Sequence, residues 1–224
     1  MSHGEAAESM DAMTKTWRQL TVWLHILTSV GWMAQAMTLC LLLAAGLAAG
    51  EPSVRDAATA MALKVDGRLV GPMADASAFT GIMLAAATPW GFFRHRWVLI
   101  KFTITVVQLF LGIFLLSPTL EHSATAGPAP AQIAATALMA SAIAFQGWLS
   151  VAKPWGRVRD RPLTPLGTAP RWVFVMTVAG GLTDLAIAFV VGHPLPLLSI
   201  VLLTVGLSRR PSWTRRTATR PVPA

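Results

Sequence analysis

Apolar residues in this chain gather into six runs, at positions 20–47, 69–88, 97–117, 131–151, 172–192 and 195–207. The first five have the length of a helix that crosses a hydrocarbon core, which takes about 20 residues. None alternates polar and apolar positions with period two, as barrel strands do. The pattern predicts an all-α fold, a polytopic transmembrane helix bundle of six spans. The sixth run is short, since its 13 residues rise only about 20 Å. It is counted as a span because the arginine-rich tail behind it would otherwise lie across the membrane from the other basic segments.

The polar stretches between the runs complete the expected layout. Residues 1–16 form a polar, acidic tail, 17–208 the membrane domain and 209–224 a basic tail. The segment 51–68 mixes charges with alanine and predicts a short surface helix. Gly71 and Pro72 mark the start of the second span, where a proline is tolerated in a first turn. The connection 89–96 is short, so the second and third spans should be antiparallel neighbours. The segment 118–130 holds three prolines and no apolar run, and reads as a loop. The first run has surplus length and should tilt or protrude. No loop is long enough to fold as a separate soluble domain.

Charge then orients the bundle. Of 18 Lys and Arg residues, 15 fall on one side of the implied membrane, and only Arg55, Lys64 and Arg68 on the other. By the positive-inside rule both termini are cytoplasmic. Trp17, Trp23, Trp90, Trp97, Trp148, Trp155, Trp172 and Trp213 map near that same face, as an aromatic belt would, and Trp32 alone lies deep. The net charge of +8 is therefore an orientation signal in contact with anionic lipid, not a nucleic-acid footprint. Cys40 is the only cysteine and excludes an intrachain disulfide. The long polar start and extended first run argue against a cleavable signal peptide.

Ionisable residues within apolar runs are the candidates for chemistry, because burying them in hydrocarbon costs several kcal/mol. His25 shares one face of the first span with Ser29, Trp32, Met33, Ala36 and Cys40, at about 100° per residue. Histidine, thioether and thiol on one stripe suit haem iron or Cu(I). Met33 and Cys40 are equally ordinary packing residues. A haem needs a second ligand, and His95 lies on the same side as His25, while His122 and His193 lie on the other. That would make one pair per face, although three of these four histidines fall in expected loops. Haem b is the cofactor such pairs suit, and copper the alternative. Flanked by Arg94 and Arg96, His95 also reads as an interfacial anchor. Asp75 and Asp184 fall in the outer halves of the second and fifth spans and could together bind a cation or relay a proton. Asp75 has a plainer reading as a backbone cap or a partner of Arg68, whereas Asp184 is too deep for a short side chain to reach water. Lys101, Thr105 and Gln108 form a polar stripe on the third span. Lys101 can snorkel to the interface, and Gln146 on the fourth span can bond Gln108 or Lys101 as interhelical glue.

Two segments resemble a known group. Residues 23–32, with the pattern WLHxxxSVGW, and 88–101, with TPWGxxRHxWVxxK, resemble small, chiefly actinobacterial integral membrane proteins of unknown function. More distantly, the early histidine beside Gly and Trp is similar to copper-resistance D-type membrane proteins. The resemblance implies a bacterial membrane location and points to His25 and the 90–101 segment as sites to test.

The chain lacks the H-E-x-x-H, G-x-S-x-G, Walker and Cys-x-x-Cys patterns. The expectation is a non-enzymatic protein of the bacterial cytoplasmic membrane, an accessory or a small-solute or metal-handling component. Its partners would be membrane lipid and further membrane subunits or a second copy. The competing classes are a b-type haem electron carrier on His25 and His95, and a cation or proton transporter on Asp75 and Asp184.

Overall fold

The computed structural model describes residues 3–158 and 168–218, with side chains described over 12–158 and 168–209. Arg159, Arg161, Arg210, Trp213, Arg215, Arg216 and Arg220 lie outside the described side chains. Every regular element described is helical: α1 (His3–Ala48), α2 (Pro52–Val65), α3 (Gly71–Ala87), α4 (Arg96–Leu111), α5 (Ser117–Ala126), α6 (Pro130–Ala152), α7 (Arg171–Val191) and α8 (Leu197–Ala218). Five helical stretches are long and apolar enough to cross a membrane: Ala12–Ala48, Pro52–Ala87, Arg96–Ala126, Pro130–Ala152 and Arg171–Val191. The protein is thus a multi-pass membrane protein by helix length and composition. The apolar part of α8, Leu197–Arg209, is shorter than these.

Two of those stretches are longer than the apolar pattern implied. Helix α2 runs into α3 through a π-helical turn, Asp66–Val70, and α4 runs into α5 through another, Gly112–Leu116. Both turns stand immediately before an X-Pro pair, Gly71-Pro72 and Ser117-Pro118. A proline ring clashes with the carbonyl four residues back and offers no N–H. Widening the helix relieves that clash: the Gly71 N–H reaches back five residues to the Asp66 carbonyl and the Ser117 N–H to that of Gly112. Pro72 does stand in the first turn of α3, but the helical stretch begins earlier, at Pro52, and 118–130 is mostly helix, with only residues 127–129 left as the turn. The surface helix expected in 51–68 forms as α2, but continuous with the span. The acidic beginning of the chain is also helical from His3 onward, an extension of the first span.

Helices α1 and α3 are central: α1 packs against α2, α3, α6 and α7, and most of α3 is buried. Helix α3 packs against α1, α7 and α8, and small residues such as Ala74, Ala76 and Ala78 let its backbone approach them. Phe79, Met83 and Ala87 of α3 meet Val173 and Phe174 of α7, with Trp17, Leu202 and Leu203 closing that end. In mid-bundle Trp32, Ala36 and Ala74 pack on Met139, Ala140 and Ile143 of α6. Leu39, Leu43, Ala62 and Leu120 fill the opposite end. Helix α4 is peripheral, with Val106, Val107, Phe110, Ile113 and Phe114 exposed on its outer side and the turn that follows.

The connections expected on the cytoplasmic side are gathered together. The Val158 N–H donates to the Arg94 carbonyl at 2.9 Å, pairing His95 with Arg157 in a β-bridge, and the Ala169 N–H donates to Ala87 at 2.9 Å. Trp90 meets Trp97 edge-on at 5.6 Å and lies under the Lys153 ammonium, also 5.6 Å away. Trp23, Trp90, Trp148, Trp155 and Trp172 are exposed, and Trp32 is buried.

The α7–α8 turn accounts for the shortness of α8. Gly192, at φ 89°, ends α7 in the left-handed conformation that glycine adopts without strain. The chain then descends alongside α3. Any side chain at Gly71 would stand 2.9 Å from Pro194 Cγ. Helix α8 starts only at Leu197 and runs antiparallel to α7, so that Leu202 and Leu203 reach the Val173–Phe174 cluster.

Candidate functional site

Besides a ladder between α4 and α6, two polar groupings inside the bundle are built on α3. The first joins it to α1. His25 Nδ1 lies 3.0 Å from the Ser77 carbonyl oxygen and 3.1 Å from Thr80 Oγ1. A carbonyl only accepts, so Nδ1 carries a proton and donates it. The Thr80 hydroxyl donates onward to Ala76 at 2.7 Å, and Ser29 and Ser77 share a 2.7 Å hydroxyl contact. The imidazole lies over Gly81, where a Cβ would meet its Cε1 at 2.9 Å. The Lys101 ammonium donates to the Ser150 hydroxyl, near the end of α6.

That bond opens a ladder between α4 and α6. Thr105 donates to Gln146 Oε1 at 2.8 Å, Gln146 Nε2 donates to Gln108 Oε1 at 2.6 Å, and Gln108 Nε2 donates to the Met139 carbonyl at 3.0 Å. The glue expected between Gln108 and Gln146 is present, and it consumes the whole polar stripe.

The second grouping lies toward the other end. Asp75 of α3 and Asp184 of α7 line one narrow pocket of about 10 Å³, together with Pro72, Pro194 and Ser199. Asp184 is buried and is not free there: Oδ1 accepts the Leu198 N–H at 3.2 Å and Oδ2 the Ser199 N–H at 2.7 Å. With Leu197 bonding to Leu195 and Ile200 to Pro196, all four N–H groups that open α8 have partners. An acid on one helix thus caps the start of the next, where a helix N-terminus favours negative charge. Asp184 precedes the end of α7 by seven residues, so α8 begins about 10 Å inside that end. Among the described residues none donates a hydrogen bond to the Asp75 carboxylate, and the Arg68 guanidinium lies against Gly192.

The remaining candidates are dispersed. His95 is a loop residue, its Nδ1 3.1 Å from the Trp90 carbonyl. His122 lies on α5, not in a loop, and is exposed, whereas His193 is exposed in the α7–α8 turn. No hydrogen bond or ring contact joins His25 to His95 or His122 to His193. Met33 packs on the mid-bundle cluster, and the Cys40 thiol faces the Ile133 carbonyl at 3.7 Å. Among the described residues no three His, Cys, Asp or Glu side chains cluster so as to hold a metal ion. Sequence reasoning missed Ser77, Thr80 and Gly81, an i, i+3, i+4 set on α3 that receives the i, i+4 pair His25 and Ser29.

Comparison of the chain with protein-family models, with curated proteins and with solved structures returns no match.

Proposed function

We propose that this is a six-span, non-enzymatic component of the bacterial cytoplasmic membrane, with both termini cytoplasmic. In this reading it handles a small cation, the proton included, at the Asp75–Asp184 pocket. The observation that carries the proposal is the unequal state of the two carboxylates. Asp184 spends its charge on the opening N–H groups of α8, while Asp75, half-buried in the same pocket, has no hydrogen-bond donor among the described residues. Charge balance at Asp75 calls for a proton or a small cation, since an unpaired charge at such a site is costly. A helix that starts inside the bundle beside an ion site is also a recurrent feature of transporters. The antiparallel course of α8 supports the sixth span, because it carries Arg209 back toward the basic side. Kinship with the small actinobacterial membrane proteins belongs to the same proposal, and rests on the strings at 23–32 and 88–101.

Proteoliposomes test the activity. A potassium diffusion potential should drive proton or sodium entry above that of empty vesicles, and Asp75→Asn should lower it at least tenfold while unfolding at the wild-type temperature. Flux equal to that of empty vesicles would remove the transport reading. Topology has its own check in a Cys40→Ala background. In intact spheroplasts, an impermeant maleimide should label His193→Cys, and should label Trp155→Cys only after permeabilisation. The reverse pattern would invert the orientation.

A further inference from the structure

The pocket shared by Asp75 and Asp184 measures about 10 Å³, close to the least space that admits one water. Apart from the two acids, its only polar side chain is Ser199. Ser199 is only 3% exposed, and its hydroxyl bonds no described residue. The other oxygens at the pocket are engaged. Both Asp184 carboxylate oxygens accept opening N–H groups of α8. The Leu195 carbonyl accepts from Leu197, that of Pro196 from Ile200 and that of Ala188 from Gly192, and the Pro194 carbonyl faces His193 Nδ1 at 3.4 Å. Among the described residues no cationic side chain lines the pocket. On the surrounding elements, Arg68 lies against Gly192, His25 bonds the Ser77 carbonyl and Lys101 the Ser150 hydroxyl.

We propose that this pocket takes the proton to the exclusion of metal cations, through one water held between the Ser199 hydroxyl and the Asp75 carboxylate. A hard cation such as Mg²⁺ or Ca²⁺ takes about six to eight oxygen ligands. The side chains left to supply them are Asp75 and Ser199, and recruiting the Asp184 oxygens would compete with the cap on α8. A hydrated cation fares no better, because its shell of waters exceeds the space for about one. A proton needs a single oxygen. Hydronium at the water position gives its proton to the Asp75 carboxylate, leaving water and a neutral carboxylic acid, and the reverse step releases it. Ser199 is the positioning residue for that water. The inference rests on the cation-handling reading of the pocket and names the cation.

The test reads binding, so that it stands apart from transport. Infrared difference spectroscopy of the full-length protein in detergent follows the carbonyl stretch of protonated carboxylic acids as the pH is lowered, with choline as the only added cation. One band should be missing from Asp75→Asn and displaced in Asp75→Glu. Its titration midpoint should stay in place when sodium, lithium, potassium or magnesium replaces choline. In Ser199→Ala the band should move to higher wavenumber, as the acid loses its hydrogen-bonded water. A midpoint that falls as a metal ion is added would overturn the proposal, because that ion then competes for the carboxylate. So would the lack of any band altered in both Asp75 variants, or an unmoved band in Ser199→Ala. A metal-independent band in a protein whose proteoliposomes leak no more than empty vesicles would uphold the proton site and remove only the transport reading.

Discussion

Replacing Asp184 by alanine is expected to destabilise the folded protein by about 3 kcal/mol. The substitution deletes the acceptors of two backbone N–H groups, those of Leu198 and Ser199. Each buried donor left without a partner costs about 1–3 kcal/mol, and bonds to a charged acceptor lie toward the upper part of that range. The start of α8 cannot recover the loss from bulk water, because it lies against Pro194 and Pro196 in the interior pocket it shares with Pro72 of α3. Asp184→Asn keeps one side-chain acceptor and removes the charge that complements the helix N-terminus. Its loss should be about half as large. Tryptophan fluorescence during thermal unfolding in detergent reads both. An alanine variant as stable as wild type would mean that the cap does not hold α8. The pair also separates architecture from transport, since Asp184→Asn should lower stability and flux together, and Asp75→Asn only flux.

Asp184 illustrates what could be read from residue order. That it is too deep to meet water was legible, because an acid eight residues from the end of an apolar run has no other reading. Its partners were not legible, because they are backbone N–H groups 14 and 15 residues onward, and residue identity does not record where a helix begins. The shortness of the sixth run was the trace of that geometry: a helix starting about 10 Å inside needs fewer residues to reach the other face. The Gln108–Gln146 bond was foreseeable, since lone amides in facing apolar helices have few other partners. Pro72 and Pro118 misled for a physical reason. Hydropathy and proline position together suggest a boundary, but a single i→i−5 turn carries the helix through, and no side-chain pattern marks it. His25 stood out as a buried ionisable group, whereas Ser77 and Thr80 did not. Small hydroxyl residues bond their own helix in most settings, as Thr28, Thr177 and Thr204 do here.

The close approach at Gly81 leads to the second large effect. Gly81→Leu should destabilise the protein by about 3 kcal/mol, from about 1–3 kcal/mol of overpacking and about 1 kcal/mol for the hydrogen bond that the displaced imidazole loses. The three heavy atoms nearest to a Cβ at Gly81 all belong to the His25 ring, at 2.9, 3.4 and 3.6 Å. That ring cannot swing aside cheaply, because its Nδ1 is held by the Ser77 carbonyl and the Thr80 hydroxyl. Removing the ring should therefore relieve the clash. In a His25→Ala background, Gly81→Leu should cost less than about 1 kcal/mol, a coupling of about 2 kcal/mol between the two positions, within the range found for residues in contact. Additive losses would show instead that the leucine collides with the α1 backbone, and that His25 is a bystander at this crossing. With the coupling present, the histidine is the spacer that sets how closely α1 approaches α3.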